Sequence, residues 1–392
     1  MIGFIGQLRR RTPLGWLQLS RHKGRFAVAI AGVAFADLLM FMQFGFQSAL
    51  FDSATRLHNV LDADVLIIST QARNLIDMST FTRRRIYQAM DVEGVKSVDG
   101  LYTNTLKWKN PQTKERNTLL IVGFEPEKKV FDIPEINQQL PKTKLPDTLL
   151  FDRNTRGKYQ NVLEKFKSGK TITTEVDKRT VKIGGLFTIG SSFGADGHII
   201  TSDQNFLRLF PRRDASSVSA GLIKIEPGYK SETVAAMVRK HLPTDDIKVF
   251  TKEEFIKFEK TYWQSNTPIG FVFSLGAAMG FMVGVIIVYQ VLSTDVNAHI
   301  KEYATFKAMG YKNIYLLGIV FEEALILAAS GFIPGIGVSI GIYALARNAT
   351  NLPMYMTILR GIQVLILTFV MCVFSGAIAT RKVQSADPAD MF

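Results

Sequence analysis

Four apolar runs constrain the fold of this 392-residue chain more than any other feature of its sequence. They cover residues 26–49, 269–292, 315–346 and 362–379, and we call them spans one to four. The hydrocarbon core of a bilayer is about 30 Å thick, and a helix needs about 20 predominantly apolar residues to cross it. Since only helices and closed barrels satisfy their backbone hydrogen bonds inside lipid, each run is predicted to form a transmembrane helix.

The distribution of basic residues predicts the orientation of the spans. The positive-inside rule places segments rich in lysine and arginine in the cytoplasm. Both termini are therefore expected to be cytoplasmic, residues 51–267 to be periplasmic, and the chain to be a multi-pass protein of the inner (plasma) membrane. The net charge is +13, but no basic stripe with interleaved aromatics indicates a nucleic-acid partner. The basic residues that decide the orientation are Arg9, Arg10, Arg11, Arg21, Lys23, Arg25, Lys301, Lys307, Lys312, Arg381 and Lys382.

The segments at the two ends of the chain are short. Residues 1–25 mix apolar side chains with arginines, a pattern typical of an amphipathic helix that lies on the inner leaflet. Span one is too long for a cleaved signal peptide and no small-residue cleavage pattern follows it, so it is predicted to be a signal anchor. Residues 380–392 are predicted to form a cytoplasmic tail.

Residues 51–267 alternate between strand and helix patterns. A strand, a helix and a strand are predicted in residues 51–105, and the same order returns in residues 218–264. Two such halves predict a split βαβ module, and residues 106–217 are interpreted as a mostly β insertion between them. The predicted fold class is therefore an integral membrane α-helical protein with four transmembrane helices and a large extracytoplasmic α/β domain.

Residues 293–313 connect spans two and three and carry the strongest functional signal. The residues from Ile300 to Ala308 show helical spacing, and Gly310 is a natural helix end. This segment is predicted to be a short cytoplasmic helix. A helix that joins two spans is a place where another protein can push, which favours a transport or mechanical protein over an enzyme.

Small residues in span two predict close helix packing. Gly276, Gly280 and Gly284 are one helical turn apart, and such a face lets another helix approach closely in lipid. The partner could be another span of the same chain or a second subunit.

Three carboxylates are predicted to lie inside the membrane: Asp37 in span one, and Glu322 and Glu323 in span three. A central carboxylate costs about 2.5–3.5 kcal/mol on insertion scales, so such groups face the bundle interior or pair. A proton relay needs a chain of titratable partners, and no histidine or lysine lies within a span. Interior hydrogen bonds, or snorkelling toward the inner face, are therefore the favoured interpretation.

Two short motifs are typical of catalytic sites, but the residues around them do not fit those sites. Residues 190–194 match GxSxG, but the residues that follow predict a turn and an extended segment where a hydrolase needs a helix. Residues 168–171 resemble the end of a phosphate-binding loop, yet Glu164 stands where that motif requires glycine. The histidines show no metal-binding spacing, and the single cysteine excludes a cysteine cluster. No catalytic residue, metal site or bound cofactor is predicted in this chain.

Several segments carry a resemblance to a known family. They are residues 34–46 in span one, residues 187–193, 196–197 and 205–208 in the large domain, residues 289–292, 294–296 and 302–311 around the predicted cytoplasmic helix, and residues 387–389. The chain resembles the MacB, FtsX and LolC/LolE group of ABC permeases, known as type VII or mechanotransmission transporters. More narrowly, it resembles DevC-type permeases of cyanobacterial glycolipid exporters and their paralogues.

This resemblance implies a non-catalytic transmembrane subunit, a homodimer in contact with membrane lipid. ATP and Mg²⁺ would be bound by a separate DevA-like ABC ATPase, while a DevB-like membrane-fusion adaptor and a TolC-like outer-membrane protein would complete a tripartite efflux pump. The cargo would be a glycolipid-like lipid or amphiphile. The residues expected to contact the ATPase are His299, Glu302, Tyr303, Lys307 and Gly310.

Three other functions are compatible with parts of the sequence. A lipoprotein-release permease would have an ATPase but no outer-membrane duct, and a regulator of the FtsX kind would activate a periplasmic hydrolase. A proton-driven carrier has little support, because the chain lacks inverted repeats and matching broken helices. The segment between spans two and three could also be only a solvated helix.

Overall fold

The computed structural model describes residues 14–385 except His22, Asp177, Lys178, Thr244 and Asn351. The predicted segments 1–25 and 380–392 therefore lie partly outside the described residues. The chain forms two compact units. The membrane unit is drawn from Met1–Ala49, Gly270–Thr350 and Met354–Phe392, and the outer unit from Leu50–Ile269 with Asn351–Pro353.

The elements are numbered in chain order. The first part of the chain contains α1 (Leu14–Arg21), α2 (Lys23–Ala54), α3 (Arg56–Val60), β1 (Val65–Ser69), β2 (Phe81–Thr82), α4 (Arg84–Met90), β3 (Val95–Lys109) and β4 (Arg116–Phe124). The middle contains α5 (Pro134–Asn137), a 3₁₀ turn (Leu140–Lys144), β5 (Thr148–Asp152), α6 (Gln160–Lys167), β6 (Ile172–Val176), β7 (Arg179–Phe187), β8 (His198–Ser202), α7 (Asp203–Leu209) and β9 (Ser217–Val218). The last part contains β10 (Ala220–Ile225), α8 (Ser231–His241), β11 (Ile247–Thr251), α9 (Lys252–Ser265), α10 (Pro268–Ala298), α11 (Ile300–Ala308), α12 (Asn313–Thr350) and α13 (Ile358–Ser385).

Four of these helices, α2, α10, α12 and α13, are long and apolar enough to cross a membrane. This confirms the predicted number of spans. Each helix extends beyond the apolar run that predicted it, because polar residues at the ends continue the backbone hydrogen-bond pattern. Pro268 is the first residue of α10, where its missing N–H leaves no helical bond unmade. Pro334 lies inside α12, which continues through it as one helix.

The membrane unit has its own apolar core, in which α12 packs against α13 and α1. Small and medium side chains dominate it, which suits helices that approach one another closely in lipid. Cys372, the single cysteine, is fully buried in this core. Its other central members include Val33, Leu292, Val320, Ala324, Leu327 and Met371.

The outer unit is built on a nine-stranded sheet with the order β11-β1-β10-β3-β4-β8-β5-β7-β6. Strand β1 is antiparallel to both β10 and β11, and β10 is antiparallel to β3. Strands β1 and β3 are therefore parallel with β10 between them, and β10 and β11 are parallel with β1 between them. Helices α4 and α8 connect these two pairs. This is the split βαβ arrangement that the sequence predicts.

The β-rich insertion is continuous with the split βαβ module. Strand β3 runs from Val95 to Lys109 and crosses the predicted boundary between residues 105 and 106. Its first half pairs with β10 and its second half with β4. The last strand in the sheet order, β6, also pairs with β3 at Trp108 and Val176. The inserted strands therefore return to β3. Trp108 is fully buried and stacks on Phe151 with ring centroids 5.1 Å apart, which ties this part to a common core.

Candidate coupling site

The joint between α10 and α11 is formed by His299. Its backbone departs from helical geometry, with φ −104° and ψ 14°, so the long helix ends at Ala298 and a new one begins. The Nδ1 atom of His299 lies 3.0 Å from the carbonyl oxygen of Asp295 and 3.4 Å from the Asp295 carboxylate. The side chain is 7% exposed. His299 thus holds the end of α10 from inside the protein.

Gly310 ends α11 in a Schellman motif. The N–H of Gly310 donates to the carbonyl of Lys307 at 2.9 Å, and the N–H of Tyr311 donates to the carbonyl of Phe306 at 3.0 Å. This geometry requires the left-handed φ of +88° at Gly310, which other residues adopt at a cost. The Phe306 and Tyr311 rings also contact each other, with centroids 5.6 Å apart, as the motif favours.

We expect Gly310→Val to weaken the coupling site and Gly310→Asn to preserve it. A β-branched residue is strained at positive φ by about 1–2 kcal/mol, whereas asparagine visits this region readily. No atom of the described residues lies within 4 Å of a Cβ built at Gly310, so we expect the two changes to differ mainly in backbone strain. The measurement is how tightly the partner ATPase proposed below binds each variant. Equal loss in both variants would contradict a backbone role.

One face of α11 is buried in the membrane unit around Tyr303. This side chain is 1% exposed, and Asp295, Glu323 and Gln18 surround its hydroxyl. Burial raises the pKa of the Tyr303 hydroxyl, and the negative charges of Glu323 and Asp295 add to that rise. Among the described residues, no group makes a hydrogen bond of good geometry with the Tyr303 hydroxyl or with the carboxylate oxygens of Glu323, although Gln18 lies beside the hydroxyl and Asp295 beside the carboxylate. Tyr303 therefore links α11 to α10, α12 and α1 by packing.

The opposite face of α11 is exposed. It carries Glu302 in the first turn, where a negative charge complements the helix dipole. Beyond the helix end, Met309 is 60% exposed and Tyr311 is 46% exposed. Lys307 is half-buried at the edge of this face. Exposed methionine and tyrosine side chains beside charged ones are typical of protein interfaces.

The structure separates the five predicted contact residues into two groups. Glu302 and Lys307 lie at the exposed face, and Gly310 is exposed at its end. His299 and Tyr303 are buried within this chain, so we expect a partner to contact the exposed residues first, and the contacts of His299 and Tyr303 with a partner stay predictions. Met309 and Tyr311 are exposed as well, although they were not among the predicted contact residues. The sequence pattern that could have predicted their exposure is the position of one of them on each side of Gly310, the glycine that ends the helix.

The glycine face of α10 packs against α2 within the chain. A Cβ built on Gly276 would lie 2.5 Å from the Gln43 side chain, and one built on Gly280 would lie 3.2 Å from Leu39. A Cβ on Gly284 would lie 2.8 Å from the Cβ of Ala36. Of the two partners that the sequence left open, these contacts are with a span of the same chain.

The acidic side chains of the spans have different surroundings. Asp37 is fully buried in α2 and accepts a hydrogen bond of 2.5 Å from Thr368 in α13. The Glu322 carboxylate lies near the backbone N–H groups of Gly15 and Trp16 at the start of α1, where a helix has unpaired donors. Glu323 is fully buried beside Asp295. Asp37 thus makes an interior hydrogen bond between two helices.

The GxSxG segment lies in a buried loop between β7 and β8. Ser192 accepts a hydrogen bond from the N–H of Ala195 at 3.1 Å, which closes a turn. Asp152 accepts a hydrogen bond from the N–H of Gly190 at 2.7 Å and lies 3.4 Å from His198 Nδ1. Since Ser192 and His198 are both buried, these groups hold the loop in place and leave no access for a substrate.

The C-terminal part of the chain, which contains α11, matches a known protein family. Residues 274–388 match the family described as FtsX-like permease C-terminal. The FtsX-like segment includes most of α10, all of α11 and α12, and α13. It amounts to less than a third of the chain. No match was found among curated proteins.

Solved structures resemble about half of the chain at low identity. The periplasmic region of MacB from Actinobacillus actinomycetemcomitans has 10% identity and a TM-score of 0.33, and the match covers 50% of this chain and 92% of that one. The extracellular domain of the noncanonic ABC-type transporter YknZ from Gram-positive bacteria has 12% identity, a TM-score of 0.31 and coverage of 48% and 99%. A domain of a putative permease from Porphyromonas gingivalis has 13% identity, a TM-score of 0.26 and coverage of 49% and 87%.

Proposed function

We propose that this chain is the transmembrane subunit of an ABC-type export assembly, in which a separate cytoplasmic ATPase docks on α11. The observation that carries the proposal is the two-faced geometry of α11 within the FtsX-like segment. Its exposed face offers Glu302, Met309 and Tyr311 to a partner, and its buried face is fixed to two spans through Tyr303. ATP and Mg²⁺ belong to the partner, and this subunit is not an enzyme.

Movement would pass from the ATPase to the spans as a rigid-body displacement. When the ATPase subunits close on ATP, they displace α11. The packed contacts of Tyr303 transmit this displacement to α10 and α12. The glycine contacts of α10 with α2 make these two helices move together. Packed cores transmit displacement because they are not continuously deformable.

The complete assembly is proposed to be a tripartite pump of the inner membrane. The chain forms a homodimer with its outer unit in the periplasm, where a membrane-fusion adaptor of the DevB-like kind and a TolC-like outer-membrane protein continue the path. The cargo is a lipid or amphiphile, of which a glycolipid is one example. The resemblance of the sequence to DevC-type permeases supports this finer assignment.

The test is to purify the tagged chain in mild detergent from its native membrane and identify the proteins that accompany it. We expect a P-loop ATPase and a periplasmic adaptor. An ATPase without an adaptor or duct would favour lipoprotein release, and an ATPase with a cell-wall hydrolase would favour a regulator. The absence of any ATPase would refute the proposal.

We expect Glu302→Lys to reduce the recovery of that ATPase by about fivefold or more, which corresponds to the roughly 1 kcal/mol of one interface charge contact plus the repulsion that replaces it. The change also places a positive charge near a helix N-terminus, where it is disfavoured. The matched control is Glu253→Lys, which reverses an exposed first-turn glutamate on α9 in the outer unit. Recovery that falls equally in both variants would contradict docking at α11.

A further inference from the structure

A long groove follows helix α9 in the outer unit. It consists of two clefts, of about 720 Å³ and about 920 Å³, that share Thr70, Lys248, Phe258 and Thr261. Its lining runs along α9 from Glu254 to Asn266, the residue that follows the helix, which is roughly 18 Å at the rise of an α-helix. A groove of this length and volume can hold an extended chain-like molecule.

The first part of the groove is apolar. Leu242, Val249 and Phe250 line it from the side of strand β11, and Phe258 lines it from α9. The Phe250 and Phe258 rings lie 5.2 Å apart between centroids and form a continuous aromatic surface. A surface of this kind favours contact with hydrocarbon, since removing apolar area from water is favourable.

Strand β11 lies at the edge of the sheet, so its outer side could in principle accept an added peptide strand. Two of its outward groups are already occupied. The carbonyl of Val249 accepts a hydrogen bond from Arg239 Nε at 2.8 Å, and the N–H of Thr251 donates to Glu254 at 2.9 Å. This edge is therefore protected against strand addition. The groove favours a ligand that binds through apolar contact and charge.

The charges along the groove are not balanced. Arg239 pairs with Glu254, and Arg73 lies near Asp77. No carboxylate in the described part of the chain pairs with Lys248 or Lys257. The Lys248 ammonium donates a hydrogen bond of 2.8 Å to the carbonyl of Thr70 and lies 5.8 Å from the centroid of the Phe258 ring. Two cations beside an apolar surface match an anionic head group attached to an apolar chain.

We propose that this groove binds an amphiphile with an apolar chain and an anionic head group, and that this amphiphile is the cargo. The second statement rests on the proposed function. The chain order supports it, because the groove ends at Tyr262 and Asn266, just before Pro268 begins a membrane span. The apolar chain lies along Phe250 and Phe258, and the head group contacts Lys248 and Lys257.

The experiment uses the full-length chain in nanodiscs of neutral phosphatidylcholine. The probe is a long-chain fatty acid with a photoreactive diazirine in its chain, and its methyl ester is the uncharged comparison. Cross-linked peptides are mapped by mass spectrometry. We expect the acid to label residues 247–262 at least about fivefold more than the ester does, since one ion pair near the surface contributes about 1 kcal/mol.

Two variants and a control distinguish the effect of the lysine charges on labelling from the effect of the groove's shape. The double change Lys248→Gln and Lys257→Gln should reduce labelling by the acid to the level of the ester. Thr261→Trp should block the groove and abolish labelling by both probes, because Thr261 lines both clefts. Lys165→Gln removes an exposed lysine from α6, away from the groove, and should leave labelling unchanged.

Each outcome decides the proposal. Equal labelling by acid and ester, labelling only within the spans, or unchanged labelling in Thr261→Trp would overturn it. If the groove fails these tests while the ATPase still accompanies the chain, only the groove inference is lost. If the groove is labelled but no ATPase accompanies the chain, the amphiphile is a ligand and its assignment as cargo is overturned.

Discussion

Gly284→Val is expected to destabilise the membrane unit by about 1–3 kcal/mol or more, which is the cost of inserting methyl groups into a well-packed interior. A Cβ at this position would already lie 1.9 Å from the Met371 sulfur and 2.8 Å from the Cβ of Ala36. The Met371 side chain can move, but Ala36 is fixed to the backbone of α2. Helices α2 and α10 must therefore separate. The measurement is the thermal unfolding midpoint of the detergent-solubilised chain.

The matched control for this change is Gly341→Val in α12. It has the same chemistry in another membrane-spanning helix, but within the part of the chain that the structure describes no atom lies within 4 Å of a Cβ built at Gly341. Valine and glycine differ by only a few tenths of a kcal/mol in helix propensity, so the control should unfold close to the original midpoint. Equal shifts in both variants would show that Gly284 does not make a tight helix contact.

The membrane helices could be predicted from the sequence because the bilayer imposes one length and one composition on each span. The glycine pattern likewise indicated a packing face, since a missing side chain can be seen directly in the sequence. Its partner could not be predicted. The contacts of Gly276, Gly280 and Gly284 with α2 depend on how distant parts of the chain meet, and local spacing contains no such information.

The outer unit shows the same limit in its sheet. The βαβ halves were predictable because alternating and helical patterns are local. Strand β3 crosses the predicted boundary between residues 105 and 106. It is a single long strand that pairs with β10 in its first half and with β4 in its second half. Composition changes near residue 106, yet the backbone continues as one strand. A change in turn content marks a change of neighbours and need not mark a domain boundary.

Helix α11 shows why residue type alone does not predict which side chains are exposed. His299 and Tyr303 were expected to contact the ATPase, as the resemblance implies. Both are buried because α11 presents one side to the spans, and that side includes Tyr303 and Ala304. Met309 and Tyr311 are more apolar than Glu302 and yet are exposed. Which side chains are exposed depends on the direction in which α11 leaves α10. His299, at the joint between the two helices, sets that direction.

Tyr303→Ala is expected to uncouple the ATPase from the spans while leaving the ATPase bound. Truncating a fully buried large side chain costs about 2–5 kcal/mol and leaves a cavity where α11 contacts its neighbours. The exposed face with Glu302, Met309 and Tyr311 is unchanged, so recovery of the ATPase should persist. Its stimulation by this chain should fall by most of its value.

Tyr303→Phe is the control that makes the uncoupling prediction specific. Among the described residues, no group makes a hydrogen bond of good geometry with the buried Tyr303 hydroxyl, so its removal costs little and keeps the ring in place. We therefore expect near-normal stimulation of the ATPase and unchanged or slightly higher stability. If phenylalanine impaired stimulation as strongly as alanine does, transmission would depend on the hydroxyl and its acidic neighbours Asp295 and Glu323. If alanine also preserved stimulation, α11 would not transmit force through Tyr303, and the push would have to enter the spans by another contact.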